Sequence, residues 1–149
     1  NAFGLVQGAA NAIAPGKRPL SSMSPTIVMR DNKPLLILGT PGGSRIITAV
    51  LQTIVHVVDY GMDIEQAVVA PRFHQQWLPE ETNLEHGTLT PEVRQQLLAM
   101  GHRFAPPQPA NHIAAIMVGV PRIGGQPLGR NRYYGFIDPR RNTGLAAGY

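Results

Sequence analysis

Two short segments concentrate the chemistry available to this sequence. In Leu38-Gly39-Thr40-Pro41-Gly42-Gly43-Ser44-Arg45, an apolar run ends in paired glycines just before a helix-forming stretch. Backbone N–H groups at a helix start have no intrahelical partner and lie at the positive end of the helix dipole. Glycine lets the backbone approach a bound group closely and adopt positive φ. The bend at Gly42 and Gly43 therefore suits an anion or a developing oxyanion; it also reads as an ordinary tight strand-to-helix turn. It is neither a Walker loop nor a Gly-x-Gly-x-x-Gly fingerprint. The second segment, Lys17-Arg18-Pro19-Leu20-Ser21-Ser22-Met23-Ser24-Pro25-Thr26, sets three serines between two prolines. Hydroxyls at Ser21 and Ser22 can bind a carboxylate or cap a turn. No Gly-x-Ser-x-Gly elbow surrounds them, which leaves a serine nucleophile unsupported.

These segments need strands and helices to hold them. The β-branched run from Thr26 to Arg30, the turn residues Asp31-Asn32-Lys33 and the apolar run from Leu35 to Gly39 predict a β-hairpin whose second strand is buried on both faces. From Arg45 to about Tyr60, Ile46, Val50, Ile54, Val57 and Val58 recur at helical spacing, with Ser44 as N-cap and Gly61 as the stop. Ile47, Ala49, Leu51 and Val55 fill the remaining faces, so this helix is expected to be buried nearly all round. A short helix follows over 64–69 between Asp63 and Pro71, then an extended stretch over 72–77. Thr90-Pro91-Glu92 opens a third helix carrying Val93, Leu97 and Leu98 to Gly101. Strands are expected over 102–104, 113–118 and 133–137, with a Gly/Pro/Arg-rich turn before the last. The opening stretch, 1–19, reads as irregular and packed against something; the tail, 138–149, reads as irregular. Ala105-Pro106-Pro107-Gln108-Pro109 reads as a stiff loop rather than a proline-rich ligand.

Composition narrows the class. The 149 residues are 43% hydrophobic and only 15% charged, which argues for a buried core and against a disordered tail. They read as one domain piece over 1–149. With 16 Gly and 14 Pro, the chain suits an α+β fold rich in turns rather than a helical bundle. The net charge of +4 is scattered over Lys17-Arg18, Arg130, Arg132 and Arg140-Arg141, so nucleic acid is not an expected partner. The absence of cysteine removes disulfides, thiol catalysis and zinc–thiolate sites. The histidines show no metal-ligand spacing, so neither a metal nor a cofactor is expected. No apolar run reaches the roughly 18 residues of a membrane span, and residues 1–16 do not read as a signal peptide.

Taken together and in order, the two segments, Asp59-Tyr60-Gly61, Ala70-Pro71-Arg72-Phe73-His74-Gln75-Gln76-Trp77-Leu78-Pro79, the closing Asp138-Pro139-Arg140 and Ala147-Gly148-Tyr149 resemble the small subunit of γ-glutamyltranspeptidase (glutathione hydrolase) over essentially the whole chain. The resemblance implies part of an N-terminal nucleophile hydrolase, an α+β fold built as an αββα four-layer sandwich. It implies a precursor that cuts itself into large and small subunits. The new N-terminal Thr then attacks a γ-glutamyl donor such as glutathione and passes the acyl group to water or to an amino acid or peptide. A free α-amino group, with a pKa near 8, can serve as the base for such a hydroxyl.

Carried onto this sequence, the resemblance makes Gly42 and Gly43 the backbone donors of the oxyanion hole. It makes Ser21 and Ser22 the hydroxyls that hold the donor's α-carboxylate. Arg18 and Arg45 either add charge near that pocket or serve structure. Arg72, His74 and Trp77 belong to the pattern without an evident chemical role. His56, His86, His102 and His112 read as satisfied core or surface groups. The chain begins at Asn1 without the family's Thr-Thr-His-like segment, so it reads as the C-terminal part of a small subunit, inactive alone. Its expected partners are the large subunit and the rest of the small one, with self-association through unpaired strand edges and an apolar face. By resemblance the location is periplasmic or extracellular. Two alternatives stand beside this reading: an acylase of the same fold with another substrate, as in cephalosporin acylases, and a non-catalytic anion-binding or assembly module.

Overall fold

A computed structural model describes residues 8–108, 111–119, 122–123, 126–127, 132–141 and 144–147. Strands β1 (Thr26–Arg30) and β2 (Lys33–Gly39) form the expected hairpin. Asp31 and Asn32 both take positive φ, 50° and 59°, as a two-residue turn matched to strand twist requires. A register shift between Val28 and Met29 bends the outer strand. Beyond the hairpin lie α1 (Arg45–Val58), α2 (Ile64–Val69), β3 (Phe73–His74), β4 (Asn83–Leu84) and α3 (Pro91–Ala99). After these come β5 (Ala114–Val118), β6 (Arg122–Ile123), β7 (Gln126–Pro127) and β8 (Tyr133–Ile137). The main sheet is antiparallel in the order β1-β2-β5-β8.

One face of that sheet carries the core. Strand period 2 places Leu36 and Leu38 of β2 beside Ala115 and Met117 of β5, and all four are buried. Ile46, Ala49, Val50 and Val57 of α1 and Ile64, Ala67 and Val68 of α2 complete the cluster. Each fully buried aliphatic side chain contributes about 1.5–3 kcal/mol. Helix α2 has a complete capping box: the Asp63 carboxylate accepts from the Gln66 amide, and the Gln66 side chain accepts from the Asp63 amide. The Tyr134 hydroxyl donates to Glu65, tying β8 to α2. This hydrogen bond, with burial and the nearby carboxylates adding to it, raises the Tyr134 pKa.

Several expectations are corrected. Strand β2 is buried on one face only; Leu35 and Ile37 on the other are half-covered. Helix α1 is likewise one-sided, with Ile47 and Leu51 more than half exposed, because the sheet covers one stripe and none of the described residues covers the opposite one. Ser44 does not cap α1 through its side chain. Its backbone is already helical, whereas a capping residue needs an extended backbone to turn its oxygen toward the third helical amide. The extended stretch over 72–77 narrows to β3, which pairs with an unforeseen β4. The 102–104 strand reduces to a single bridge between Phe104 and Thr82. Thr90 caps α3 and Pro91 opens it as expected, yet Val93 and Leu98 stay largely exposed. Residues 8–19 pack against none of the described residues and stay exposed, with one 3₁₀ turn at Ala9–Asn11; packing against another part of a longer chain is untouched by this. Arg130, most of the turn before β8, residues 1–7 and the closing Gly148-Tyr149 lie outside the described residues. No described helix is long and apolar enough to cross a membrane.

Candidate active site

The diglycine bend sits where β2 leaves the core and α1 begins. Gly42 has φ +140° and Gly43 φ +61°, backbone conformations that favour glycine. In place of a side-chain cap, the carbonyls of Gly42 and Gly43 accept from the amides of Arg45 and Ile46 at 3.3 and 3.2 Å. The N–H groups of Gly42 and Gly43 donate to no partner among the described residues, and both glycines are exposed. Two adjacent donors, unpaired among the described residues, thus lie on an exposed bend at the head of a 14-residue helix.

The serine segment lies against this bend. Ser22 Oγ donates to the Gly43 carbonyl at 2.7 Å, across 21 residues of chain. Ser21 Oγ accepts from the Met23 amide at 3.2 Å, which leaves its own proton for a ligand. The two motifs thus form one surface: Ser22 braces the bend and Ser21 presents a hydroxyl beside it. An oxygen anion at the amides and a carboxylate at Ser21 would meet donors; the Ser22 proton is already placed on the Gly43 carbonyl.

Beneath the bend, three further contacts fix the chain entering β5. Thr40 Oγ1 lies 2.7 Å from the His112 carbonyl and 2.8 Å from that of Pro41. Arg72 Nη2 donates to the Asn111 carbonyl and, at 2.6 Å, to Asp138 Oδ2. Asp138 Oδ2 accepts from the Ile113 amide at 3.3 Å. Arg72 and Asp138 are both essentially inaccessible to solvent. Arg140 completes the cluster, meeting both carboxylate oxygens of Glu85 at 2.7 Å and Asp138 Oδ1 at 2.9 Å. It also donates to the carbonyls of Val68, Val69 and Ala70, so its guanidinium caps the C-terminus of α2. Burial pushes the Asp138 carboxyl up; the hydrogen bonds and charges of Arg72 and Arg140 outweigh it and hold the group below the ordinary carboxylate range. Burial lowers the Arg72 pKa, and Asp138 only partly offsets it.

Arg45, His74 and His56 each meet a partner in the fold. Arg45 Nη2 donates to Gln108 at 2.8 Å and to Asn83 at 3.3 Å, and it lines a cavity of about 20 Å³ with Arg72, His74 and Asn111. Buried His74 has both nitrogens engaged, by Thr48 Oγ1 at 2.8 Å and Gln76 Oε1 at 2.9 Å. An amide oxygen only accepts, so Nε2 carries the proton. His56 Nδ1 lies 3.4 Å from the Ala67 carbonyl. Arg18 and Trp77 are exposed. Sequence reasoning passed over Asn111 and Glu85, and it named Asp138-Pro139-Arg140 as a motif without its anchoring role. The one available signal was a charged pair flanking a proline after an apolar strand.

The chain is 63% identical over 149 residues to the glutathione hydrolase proenzyme of Pseudomonas sp. (strain A14), covering 100% of this chain and 26% of that protein. It is 49% identical to the glutathione hydrolase proenzyme of Escherichia coli (strain K12), covering 100% of this chain and 24% of that protein. It therefore spans about a quarter of the length of the curated relatives it matches. A solved Helicobacter pylori γ-glutamyltranspeptidase variant superposes with a TM-score of 0.83 at 49% identity, over 95% of this chain and 73% of that one. The fold is accordingly α+β and of the N-terminal nucleophile hydrolase class, here a helix layer of α1 and α2 on one antiparallel sheet. The family model described as gamma-glutamyltranspeptidase matches residues 1–148. With the paired serines seated on the diglycine bend in a shared fold, the chain belongs to the γ-glutamyltranspeptidase family.

Proposed function

We propose that this chain supplies the electrophile-stabilising half of a γ-glutamyl transfer site. In the whole protein, a Thr hydroxyl from another segment attacks the γ-glutamyl carbonyl of glutathione or a related donor. The amides of Gly42 and Gly43 receive the charge that develops on the carbonyl oxygen. Ser21 and Ser22 hold the donor's α-carboxylate, Ser21 with its free proton and Ser22 by turning its hydroxyl from the Gly43 carbonyl to the ligand. Collapse of the tetrahedral intermediate releases the leaving amine and leaves a γ-glutamyl ester, which water or an amino-acid acceptor then attacks. The chain's partners in this scheme are the large subunit and the remainder of the small one, in a periplasmic or extracellular enzyme.

One observation carries this reading. The 2.7 Å contact from Ser22 Oγ to the Gly43 carbonyl sets the paired serines beside two amide donors that are unpaired among the described residues, which supports the reading. Free donors aimed at a developing charge act with little reorganisation. Hydrolysis of γ-glutamyl-p-nitroanilide by the full-length protein tests it. Gly42→Ala is expected to lower kcat about 10²–10³-fold, the usual cost of disturbing one oxyanion donor. An unchanged kcat in a folded Gly42→Ala protein would overturn the assignment.

A further inference from the structure

We infer that Asn111 is a positioning residue for the oxyanion donors: its carboxamide is a wedge that holds Gly42 in its glycine-specific conformation. This rests on the reading of Gly42 and Gly43 given above. A Cβ built on Gly42 would lie 2.1 Å from Asn111 Oδ1, 2.2 Å from Cγ and 2.3 Å from Nδ2. The Asn111 side chain therefore occupies the space that any other residue at 42 would need. The carboxamide abuts the Gly42 backbone on that side.

Asn111 is itself held firmly. Arg72 Nη2 grips its carbonyl. Thr40 Oγ1 ties the next carbonyl, that of His112, to the end of β2. Asp138 engages Ile113 twice, accepting from its amide at 3.3 Å and donating its own amide to the Ile113 carbonyl at 2.9 Å. The main chain over 111–113 is thus pinned from three directions, and the side chain it carries is driven against Gly42. The Nδ2 atom is buried and has no hydrogen-bond partner among the described residues. The Nδ2 donor therefore adds no hydrogen bond to the described residues, and what the carboxamide offers Gly42 is shape.

The glycine at 42 can rotate freely about φ, and only its surroundings select +140°. Without the wedge, the two amides lose the fixed aim on which oxyanion stabilisation depends. A misplacement of about 1 Å at a reacting centre costs on the order of 10²-fold. The loss should appear in the transition state and not in the ground state, because the serines that hold the donor's acid end remain in place.

The test uses the full-length protein with four forms: wild type, Asn111→Gly, Gly42→Ala and the double variant. Steady-state hydrolysis of γ-glutamyl-p-nitroanilide is measured together with inhibition by a γ-glutamyl boronic acid, which forms a tetrahedral adduct, and by glutamate, which does not. Asn111→Gly is expected to lower kcat about ten- to hundredfold. Boronate affinity should fall in parallel, while KM and glutamate affinity change less than about threefold, as for an interaction made only in the transition state. The three atoms nearest to the methyl group introduced by Gly42→Ala all belong to the Asn111 side chain. The double variant should therefore be no slower than Gly42→Ala alone, a strongly non-additive cycle. Unchanged kcat and boronate affinity in Asn111→Gly, or additive losses in the double variant, overturn the inference. If Asn111→Gly folds poorly, Asn111→Ala, which keeps a Cβ and removes the carboxamide, decides by the same kcat and boronate readouts. Wild-type boronate affinity in Gly42→Ala would instead defeat the underlying reading of the bend.

Discussion

The two serines of the pair do different work. Ser21 keeps its proton for a ligand, whereas Ser22 spends its own on the Gly43 carbonyl. A hydrogen bond to a charged group is worth about 1.5–3 kcal/mol, so Ser21→Ala is expected to raise KM for a γ-glutamyl donor about tenfold or more with little change in kcat. Ser22→Ala removes a brace from the bend as well as a hydroxyl, so its loss should fall on kcat too. Steady-state kinetics of the two variants, compared side by side, separates these roles. Both serines and both glycines were legible as motifs, because their residue types fit the chemistry. Their mutual contact was not, since it joins residues 21 apart and depends on how the hairpin returns the chain. Asn111 was illegible for a related reason: nothing local marks an asparagine whose role is to exclude a Cβ elsewhere.

At the scale of elements, the anchor after β8 connects everything near the site. Asp138 meets Arg72, Arg140 and Ile113 at once. Removing a buried ion-pair partner typically costs about 3–5 kcal/mol, because it strands the other charge. Asp138→Asn should therefore be strongly destabilising in thermal or denaturant unfolding. The pH dependence follows from the depressed pKa of Asp138. The unfolded chain takes up this proton at a higher pH than the folded one does. The stabilisation is thus complete above the unfolded value of about 3.9 and is lost as pH falls through the folded value. Melting curves at stepped pH are expected to show a loss of stability below about pH 4 that Asp138→Asn flattens. The elements themselves were largely readable: periodicity located α1 and α2, turn chemistry located the hairpin, and Thr90-Pro91 located α3. Burial was less readable. Apolar residues on every side of α1 suggested a fully buried helix, but the described neighbours cover only one stripe.

Across the whole molecule, one face of the sheet is finished and the other is not. On the face away from α1 and α2, Ile27, Ile37, Ile116 and Gly135 line up across all four strands in register. Ile27 is 61% exposed and Ile116 39%. A contiguous apolar row of this kind on a sheet marks a surface that needs cover, and β1 and β8 offer open edges beside it among the described residues. The isolated chain is expected to associate, and sedimentation velocity should find species heavier than the monomer. Replacing Ile27 and Ile116 with lysine should shift the distribution toward monomer, and a monodisperse wild-type monomer would contradict the expectation. The sequence pattern foretold an apolar strand but not which side would stay open, because alternation is hidden in a run such as Leu35-Leu36-Ile37-Leu38.

The buried pairing of Arg72 with Asp138 spans 66 residues. A ribosome delivers the arginine long before its counter-ion. Until the segment after β8 emerges and docks, the guanidinium lacks the carboxylate that pairs with it at 2.6 Å, and closing over it is unfavourable. Completion of the interior is thereby tied to the arrival of a late-made portion. A chain cut short before that point is expected to stay loose, and faster limited proteolysis than that of the whole chain checks it.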